Sequence, residues 1–325
     1  MHLRGRRRGR GALVVLLLLG ANAAVAAPFA YLTNQASDDV AVIDLASGAR
    51  VATHKVGKAP VGVVVMATPR RVFVTNPESH DLSVIERGAE PAADRVIARL
   101  PAGLAPVGVE ADEGGGRVYV TDMAANRLLV FDALTLQRLG EVAVGGGPGG
   151  IAVDGRRGRI YVADRDDNAV AVIDAQTLTR LPDIAVGEHP FGLALDVAAG
   201  RLYSANVYAN SITVVDLARG RRIADIAVGK APYCLLLDPG SGRLYVSNQH
   251  DESISVIDAG SLQVVATVAT GAYPEGLAMD AGGRVFYAVN WMDDTVTEHQ
   301  SGSGARLRTF PGGANNRGFG RFVAR

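Results

Sequence analysis

The stretch from Tyr161 to Asp196, YVADRDDNAVAVIDAQTLTRLPDIAVGEHPFGLALD, decides the fold of this chain. It holds four short apolar runs cut by polar turns: Tyr161-Val162-Ala163-Asp164, Val170-Ala171-Val172-Ile173-Asp174, Ile184-Ala185-Val186-Gly187 and, after Pro190, Gly192-Leu193-Ala194-Leu195-Asp196. Runs of four to six residues, rich in β-branched and aromatic side chains and bounded by Gly and Asp, read as β-strands. No stretch of the chain has the length and 3.6-residue period of a helix.

The same pattern recurs on either side. Tyr31-Leu32-Thr33-Asn34, Phe73-Val74-Thr75-Asn76, Tyr119-Val120-Thr121-Asp122, Tyr203-Ser204-Ala205-Asn206 and Tyr245-Val246-Ser247-Asn248 repeat the first run, and Asn290 ends a seventh copy. The intervals from Asn34 to Asn290 are 42, 46, 42, 42, 42 and 42 residues. Pro60, Pro106, Pro148, Pro190, Pro232 and Pro274 keep the same beat, as do the acids Asp44, Glu86, Asp132, Asp174, Asp216 and Asp258. Units of this length with four strands are what radial propellers use to limit exposed sheet edges. The chain opens on a second strand, since Pro28-Phe29-Ala30 leads directly into Tyr31, and Arg317-Gly318-Phe319-Gly320-Arg321-Phe322-Val323 supplies the missing first strand. The expected fold is therefore all-β: a seven-bladed propeller of four-stranded blades, closed by the C-terminal strand joining the first blade. It forms one domain over residues 27–325.

Residues 1–26 read as a cleaved signal peptide. Arg4, Arg6, Arg7, Arg8 and Arg10 form a basic head, Ala12 to Leu19 an apolar run too short to span a bilayer, and Ala24-Val25-Ala26 a small-residue cleavage site. The expected location is the periplasm, by either the general or the twin-arginine route, with no transmembrane segment in the mature chain. The full chain carries 33 basic and 33 acidic residues; without the leader's five arginines 28 face 33, a net charge of −5. That balance argues against nucleic acid and anionic membrane as partners. Cys234 is the single cysteine, so packing rather than a disulfide must hold the fold.

The aromatic-Val-Thr-Asn landmark resembles the YVTN family of β-propeller repeat proteins across the whole mature chain, and the closing Arg-Gly-Phe-Gly-Arg-Phe stretch is similar to YncE-like periplasmic members. The resemblance implies the fold strongly and function weakly, because related propellers include sugar-lactone hydrolases, quinone-linked dehydrogenase subunits and haem-carrying nitrite reductase domains.

A residue repeated in every blade is explained by what every blade needs. The Asn or Asp at 34, 76, 122, 164, 206, 248 and 290 suits strand-ending turns, where these side chains accept backbone N–H groups and tolerate left-handed geometry. The glycine after five of the six Pro-X pairs suits close backbone approach near the axis. Arg71, Arg117, Arg159, Arg201, Arg243 and Arg284 precede the aromatic strand and read as solvated turn residues paired with nearby Asp.

Function is expected where blades differ, at the mouth formed by the fourth-to-first and second-to-third strand loops. The side chains aimed at the axis just after each Pro are Val61, Val107, Gly149, Phe191, Tyr233 and Glu275, with Arg317 in the closing strand. Phe191 and Tyr233 offer stacking faces, Glu275 and Arg317 opposite charges; the competing reading is a channel plug with a neutralising ion pair. His189, Tyr208, His250 and Trp291 lie in mouth loops of the same later blades. These eight residues form the expected ligand-binding set. The histidines lack metal-ligand spacing, so neither a metal nor a cofactor is expected. Cys234 reads as a small buried hydrophobe. His54 and His80 fall outside any cluster, and Glu298-His299-Gln300 breaks the last blade's pattern, either locally or as a partner contact.

No nucleophile motif, phosphate loop, dinucleotide fingerprint or zinc signature is present. The expectation is a monomeric, non-catalytic scaffold binding a small molecule or a periplasmic protein. The alternatives are a lactonase-like hydrolase, with Glu275 as base and Arg317 or His250 as helper, and an accessory subunit of a quinone- or haem-linked redox system.

Overall fold

Alternation of the repeat's runs places every second side chain on one face of a strand, and here both faces of the middle strands are apolar. The computed structural model describes residues 28–324, and the leader at 1–26 lies outside the described residues. Each unit folds into an antiparallel four-stranded sheet, and seven such sheets complete the ring. The fifth shows the logic: Pro190–Asp196 lies innermost, followed by Arg201–Asn206, Ser211–Asp216 and Arg221–Ala227. The two middle strands are buried almost throughout, because neighbouring blades cover both their faces. The outermost strand is largely exposed and carries Arg221, Arg222 and Asp225, charges that blunt an open sheet edge. Among the described residues, no helix is long and apolar enough to cross a membrane.

Ring closure follows the three-plus-one scheme. Phe29–Asn34, Asp39–Asp44 and Ala49–Lys55 are joined by Asn316–Arg317, with Thr33 opposite Arg317. The closing segment is not a plain strand, however. After Arg317 it leaves the first blade and accepts hydrogen bonds from Val63 and Val65 of the second blade, through the Phe319 and Arg321 carbonyls, both at 2.9 Å. It then returns, and Tyr31 N–H donates to the Phe322 carbonyl at 2.9 Å. The last described residues thus bridge two blades and insert Phe319 towards the axis.

Three repeated residue types hold blade to blade. The glycine that follows five of the six Pro-X pairs lies against the next inner strand: a Cβ on Gly192 would sit 2.2 Å from the Tyr233 carbonyl oxygen. The hydroxyl in the aromatic-Val-Thr-Asn landmark links the two strands. Thr121 Oγ1 accepts the Gly108 N–H of its own blade at 2.8 Å and donates to the Gly149 carbonyl of the next at 2.9 Å. Thr75 does the same with Gly62 and Val107, while Ala163 and Ala205 leave the link unmade in the fourth and fifth blades. The Asn or Asp that follows docks against the glycine ending the preceding unit, where a Cβ on Gly187 would meet Asn206 at 2.6 Å.

Three of these Asn and Asp side chains accept turn N–H groups: Asp122 takes Leu104 and Ala105, Asp164 takes Gly145, and Asn290 takes Gly271. Asn34, Asn76 and Asn248 instead donate through Nδ2 to Asp39, Asp81 and Ser253 of the next strand. The left-handed backbone expected at these strand-ending positions lies four residues later instead, at Asp38, His80, Asn126, Asn168, Asn210, Glu252 and Asp294. The arginine ring also needs correction. Arg71 and Arg201 reach across to Leu134 and Ala259 carbonyls of the following blade, each at 2.7 Å, and Arg117 reaches Ala175 likewise. Arg159 and Arg243 pair with an aspartate of their own third strand, Asp174 and Asp258, and the exposed Arg284 approaches Asp280 of its own turn at 4.0 Å, as expected. His299 is fully buried, stacked on Phe286 at 5.0 Å and bonded to the Gly304 carbonyl at 2.8 Å, so it is a core residue and not a partner contact.

Replacing Thr121 with Val keeps the shape and removes both hydrogen bonds of the inter-blade link. Stability should fall by about 1–3 kcal/mol, read from urea unfolding, because two buried backbone groups lose their partner; a change too small to resolve would mean that the hydroxyl is not a tie.

Asp164 gives a pH signature. Burial pushes its carboxyl up to about 7, against the Gly145 N–H and Arg180, which pull it down. The folded value lies above the ordinary carboxylate value of about 4, so the stabilisation belongs to the protonated form. It is complete below about pH 4 and is lost as pH rises through 7. Asp164→Asn, which installs the residue other blades use, should therefore stabilise the protein at pH 8 by on the order of 1–3 kcal/mol and do little at pH 4. Urea midpoints that shift equally at both pH values would show that Asp164 does not titrate in this range.

Candidate functional site

The inner strands place the expected axial residues by a local irregularity. In the third to seventh blades, the ladder between first and second strands skips the two residues after Pro, as between Pro190 and Leu193 or Pro232 and Leu235. Freed from the ladder, the first of the two side chains turns to the channel and the second position closes on the neighbouring blade.

Phe191 and Tyr233 meet there. Their rings stack at 4.2 Å between centroids, and Phe319 of the closing segment lies 5.0 Å from Phe191 and 5.9 Å from Tyr233. Val61 packs in the same cluster, with Val107 at its margin. Phe191 is 5% exposed and packs among these rings, an arrangement that fits a channel plug. Burial holds the Tyr233 phenol well above its usual range, with Glu275 adding to the shift.

Glu275 and Arg317 form an ion pair beside the plug, Nη1 to Oε2 at 3.2 Å, with the Glu275 side chain fully buried and that of Arg317 14% exposed. Burial raises the Glu275 pKa while Arg317 pulls it back. Trp291 lies over the outer side of Arg317, ring centroid 4.1 Å from the guanidinium carbon, a cation–π contact. Tyr273 meets Trp291 edge-on at 5.3 Å, and His250 Nε2 lies 3.3 Å from the Tyr273 hydroxyl. One contact chain thus runs from His250 through Tyr273, Trp291 and Arg317 to Glu275. His189 and Tyr208 form a separate pair on the fifth blade, stacked at 3.9 Å and only 11° from parallel. Desolvation lowers the His189 pKa, keeping the imidazole neutral at pH 7.

Trp291, expected exposed, is half-buried by these contacts, whereas Tyr208 is 67% exposed and Met292 62%. Tyr273 and Phe319 were not legible as site residues. Tyr273 directly precedes Pro274, and that position was the available signal; Phe319 becomes axial only because the closing segment detours. His189 and Tyr273 share a further property: both have left-handed backbones, φ 58° and 56°, where the equivalent turns use Ala59, Gly147, Ala231 and Asn315.

Below the plug the channel is open from the opposite face. A cavity of 590 Å³ there is lined by Val65, Leu236, Met279, Asp112, Asp238 and Arg321, and a narrower extension of 120 Å³ reaches Cys234 and Phe319. The Cys234 thiol is buried and pushed well above its usual pKa by desolvation, which keeps it protonated and unreactive. Among the described residues, no three of His, Cys, Asp and Glu converge as metal ligands. His54, expected to stand alone, lies 3.9 Å from Asp94 under the loop of the second blade.

Three solved structures share the architecture. A functionally unknown protein from Desulfotomaculum acetoxidans superposes with a TM-score of 0.80 at 14% identity, covering 91% of this chain and 98% of that one. Hydrazine synthase of Kuenenia stuttgartiensis gives 0.69 at 17%, covering 78% and 86%. Dihydro-haem d1 dehydrogenase NirN in complex with DHE gives 0.67 at 14%, covering 89% and 74%. Identities this low speak to fold alone. No curated protein matches the sequence. The model of the YNCE-like beta-propeller family matches residues 23–201, more than half of the chain, and with the seven-bladed ring it shows that this chain belongs to the YNCE-like β-propeller family.

Proposed function

We propose that this chain is an exported, periplasmic, non-catalytic binding protein that takes a ligand or protein partner on the mouth loops of its fifth to seventh blades. The observation that carries the reading is the aromatic surface gathered on those loops, where His189 stacks on Tyr208 and Tyr273 meets Trp291 edge-on. Tyr208 and Met292 beside them are 67% and 62% exposed. Exposed apolar and aromatic side chains grouped in this way mark interaction surfaces. Rings with a guanidinium beneath suit a planar or anionic group, and aromatic anchors dominate protein interfaces in the same way.

The accessible chemistry favours binding over turnover. A general base must reach a water or a substrate proton, and the Glu275 side chain has no exposed surface and faces Arg317. The lactonase-like reading loses its base on that ground. The redox-accessory reading draws on the names of two fold neighbours, while both mouth histidines here are in ring contact with tyrosines. Export rests on the basic head, apolar run and small-residue site of residues 1–26.

Native mass spectrometry of the protein purified from its own periplasm, with a denatured control, tests the proposal. The expected result is a chain starting at Ala27 that carries a non-covalent mass or a co-purifying protein. Tyr208→Ala and Trp291→Ala should lose it. His189→Gly and Tyr273→Gly should weaken binding roughly tenfold while unfolding no earlier in urea, since glycine relieves the left-handed strain. A bare wild-type chain, or cargo retained by all four variants, would remove the mouth as the binding surface.

A further inference from the structure

The four extra residues of the 46-residue interval fall in the second blade, in the loop between Asp81–Glu86 and Arg95–Pro101, where Pro91–Ala93 forms a single 3-10 turn. This loop stands over the start of the chain on the face opposite the mouth loops. Between it, Phe29 and the turn at 280–284 of the last blade lies a cavity of 470 Å³, within the size range of small-molecule sites.

The base of the cavity is closed by an internal pairing. The Tyr31 hydroxyl donates to Asp94 Oδ2 at 2.7 Å and the Gly88 N–H donates to Oδ1 at 2.8 Å, so both oxygens of this buried carboxylate are engaged within the protein. Three guanidiniums stand around it. Arg87 lies over the Tyr31 ring at 5.8 Å, and its buried Nε has no hydrogen-bond partner. Arg70 bonds to the Gly88 carbonyl at 2.6 Å. Arg284 approaches Asp280 only at 4.0 Å, and Asp280 Oδ1 already holds the backbone N–H groups of Arg284 and Val285. Elsewhere arginines such as Arg157, Arg159 and Arg180 sit in close aspartate pairs, at 2.8, 2.7 and 2.6 Å. Here, among the described residues, neither Arg70 nor Arg87 has a carboxylate within ion-pair distance.

A guanidinium offers five N–H donors in a rigid fork that matches carboxylate and phosphate oxygens. Three of them with unspent donors, around a cavity lined also by Phe29, Pro91 and the exposed Glu90, outnumber the one acid there that no hydrogen bond engages, and they form a complementary surface for one ligand chemistry. We propose that this cavity binds a small organic oxyanion, a carboxylate or phosphate head on a short apolar body. Arg70, Arg87 and Arg284 hold the head, and Phe29 and Pro91 take the body. The site is separate from the mouth surface, and its occupancy does not depend on what binds there.

Isothermal titration of the purified protein with benzoate, phenyl phosphate, inorganic phosphate and benzylamine tests this. Benzoate or phenyl phosphate should bind saturably and benzylamine should not; which of the two binds more tightly identifies the head group. Arg87→Gln should weaken binding roughly tenfold or more. Arg284→Gln, whose side chain is 86% exposed and plays little part in folding, should do the same, while Arg219→Gln, on another blade and paired with Asp216, should not. The proposal is overturned by benzylamine binding as well as the anions, by phosphate alone binding as tightly as phenyl phosphate, by affinity untouched in both cavity variants, or by no anion binding at all.

Discussion

The ring depends on how closely the seven inner strands approach one another. At five of the seven steps a glycine without a side chain faces the carbonyl oxygen of the next blade: Gly62 and Gly108 at 2.3 Å, Gly150 at 2.5 Å, Gly192 at 2.2 Å and Gly276 at 2.1 Å, measured from where a Cβ would be. No other residue fits at that separation without moving backbone. The sixth blade shows how the rule can bend. Cys234 stands at the glycine position, its N–H still caught by Ser247 Oγ at 2.9 Å while the same hydroxyl reaches the Glu275 carbonyl at 3.0 Å. Close approach near the axis therefore sets the channel width.

This constraint explains which parts of the molecule were legible in the sequence. Strand positions, blade number and ring closure follow from a local period, because every blade must solve the same packing problem with the same residues. Thr33, Thr75, Thr121 and Ser247 belong to that repeating text, but their function is a contact with the following blade about 28 residues away, which a period does not reveal. The contacts that the sequence concealed span longer separations still: Tyr31 with Asp94, Asp238 with Ser301, and Thr33 with the closing strand at Arg317. The first two join loops and strands of adjacent blades, and the third forms only after the circle has closed.

The candidate site was half legible for the same reason. Phe191, Tyr233 and Glu275 leave the ladder at the bulge after Pro, Arg317 holds the equivalent position in the closing strand, and a repeat makes that position countable. What those residues do to one another was not countable. Glu275 is buried in an ion pair with Arg317, a contact that the sequence left open. Trp291 covers that same arginine and is held edge-on by Tyr273. The order of contacts is thus charge inside, aromatic cover outside.

The Phe191, Tyr233 and Phe319 rings pack together near the axis, and Phe319 hangs from a segment fastened to both the first and second blades. The cavity beside the second blade's insertion lies on the face opposite the mouth loops, against the strand that begins the chain and the segment that ends it, since Phe29 and Ala324 both line it. An oxyanion held there by Arg70, Arg87 and Arg284 would tie the second and seventh blades together across the first, the one blade built from both chain ends. The seam in that blade lacks a covalent connection between its inner strand and the other three, so noncovalent contacts alone hold it. A ligand that binds only the closed ring adds its binding free energy to the seam's stability.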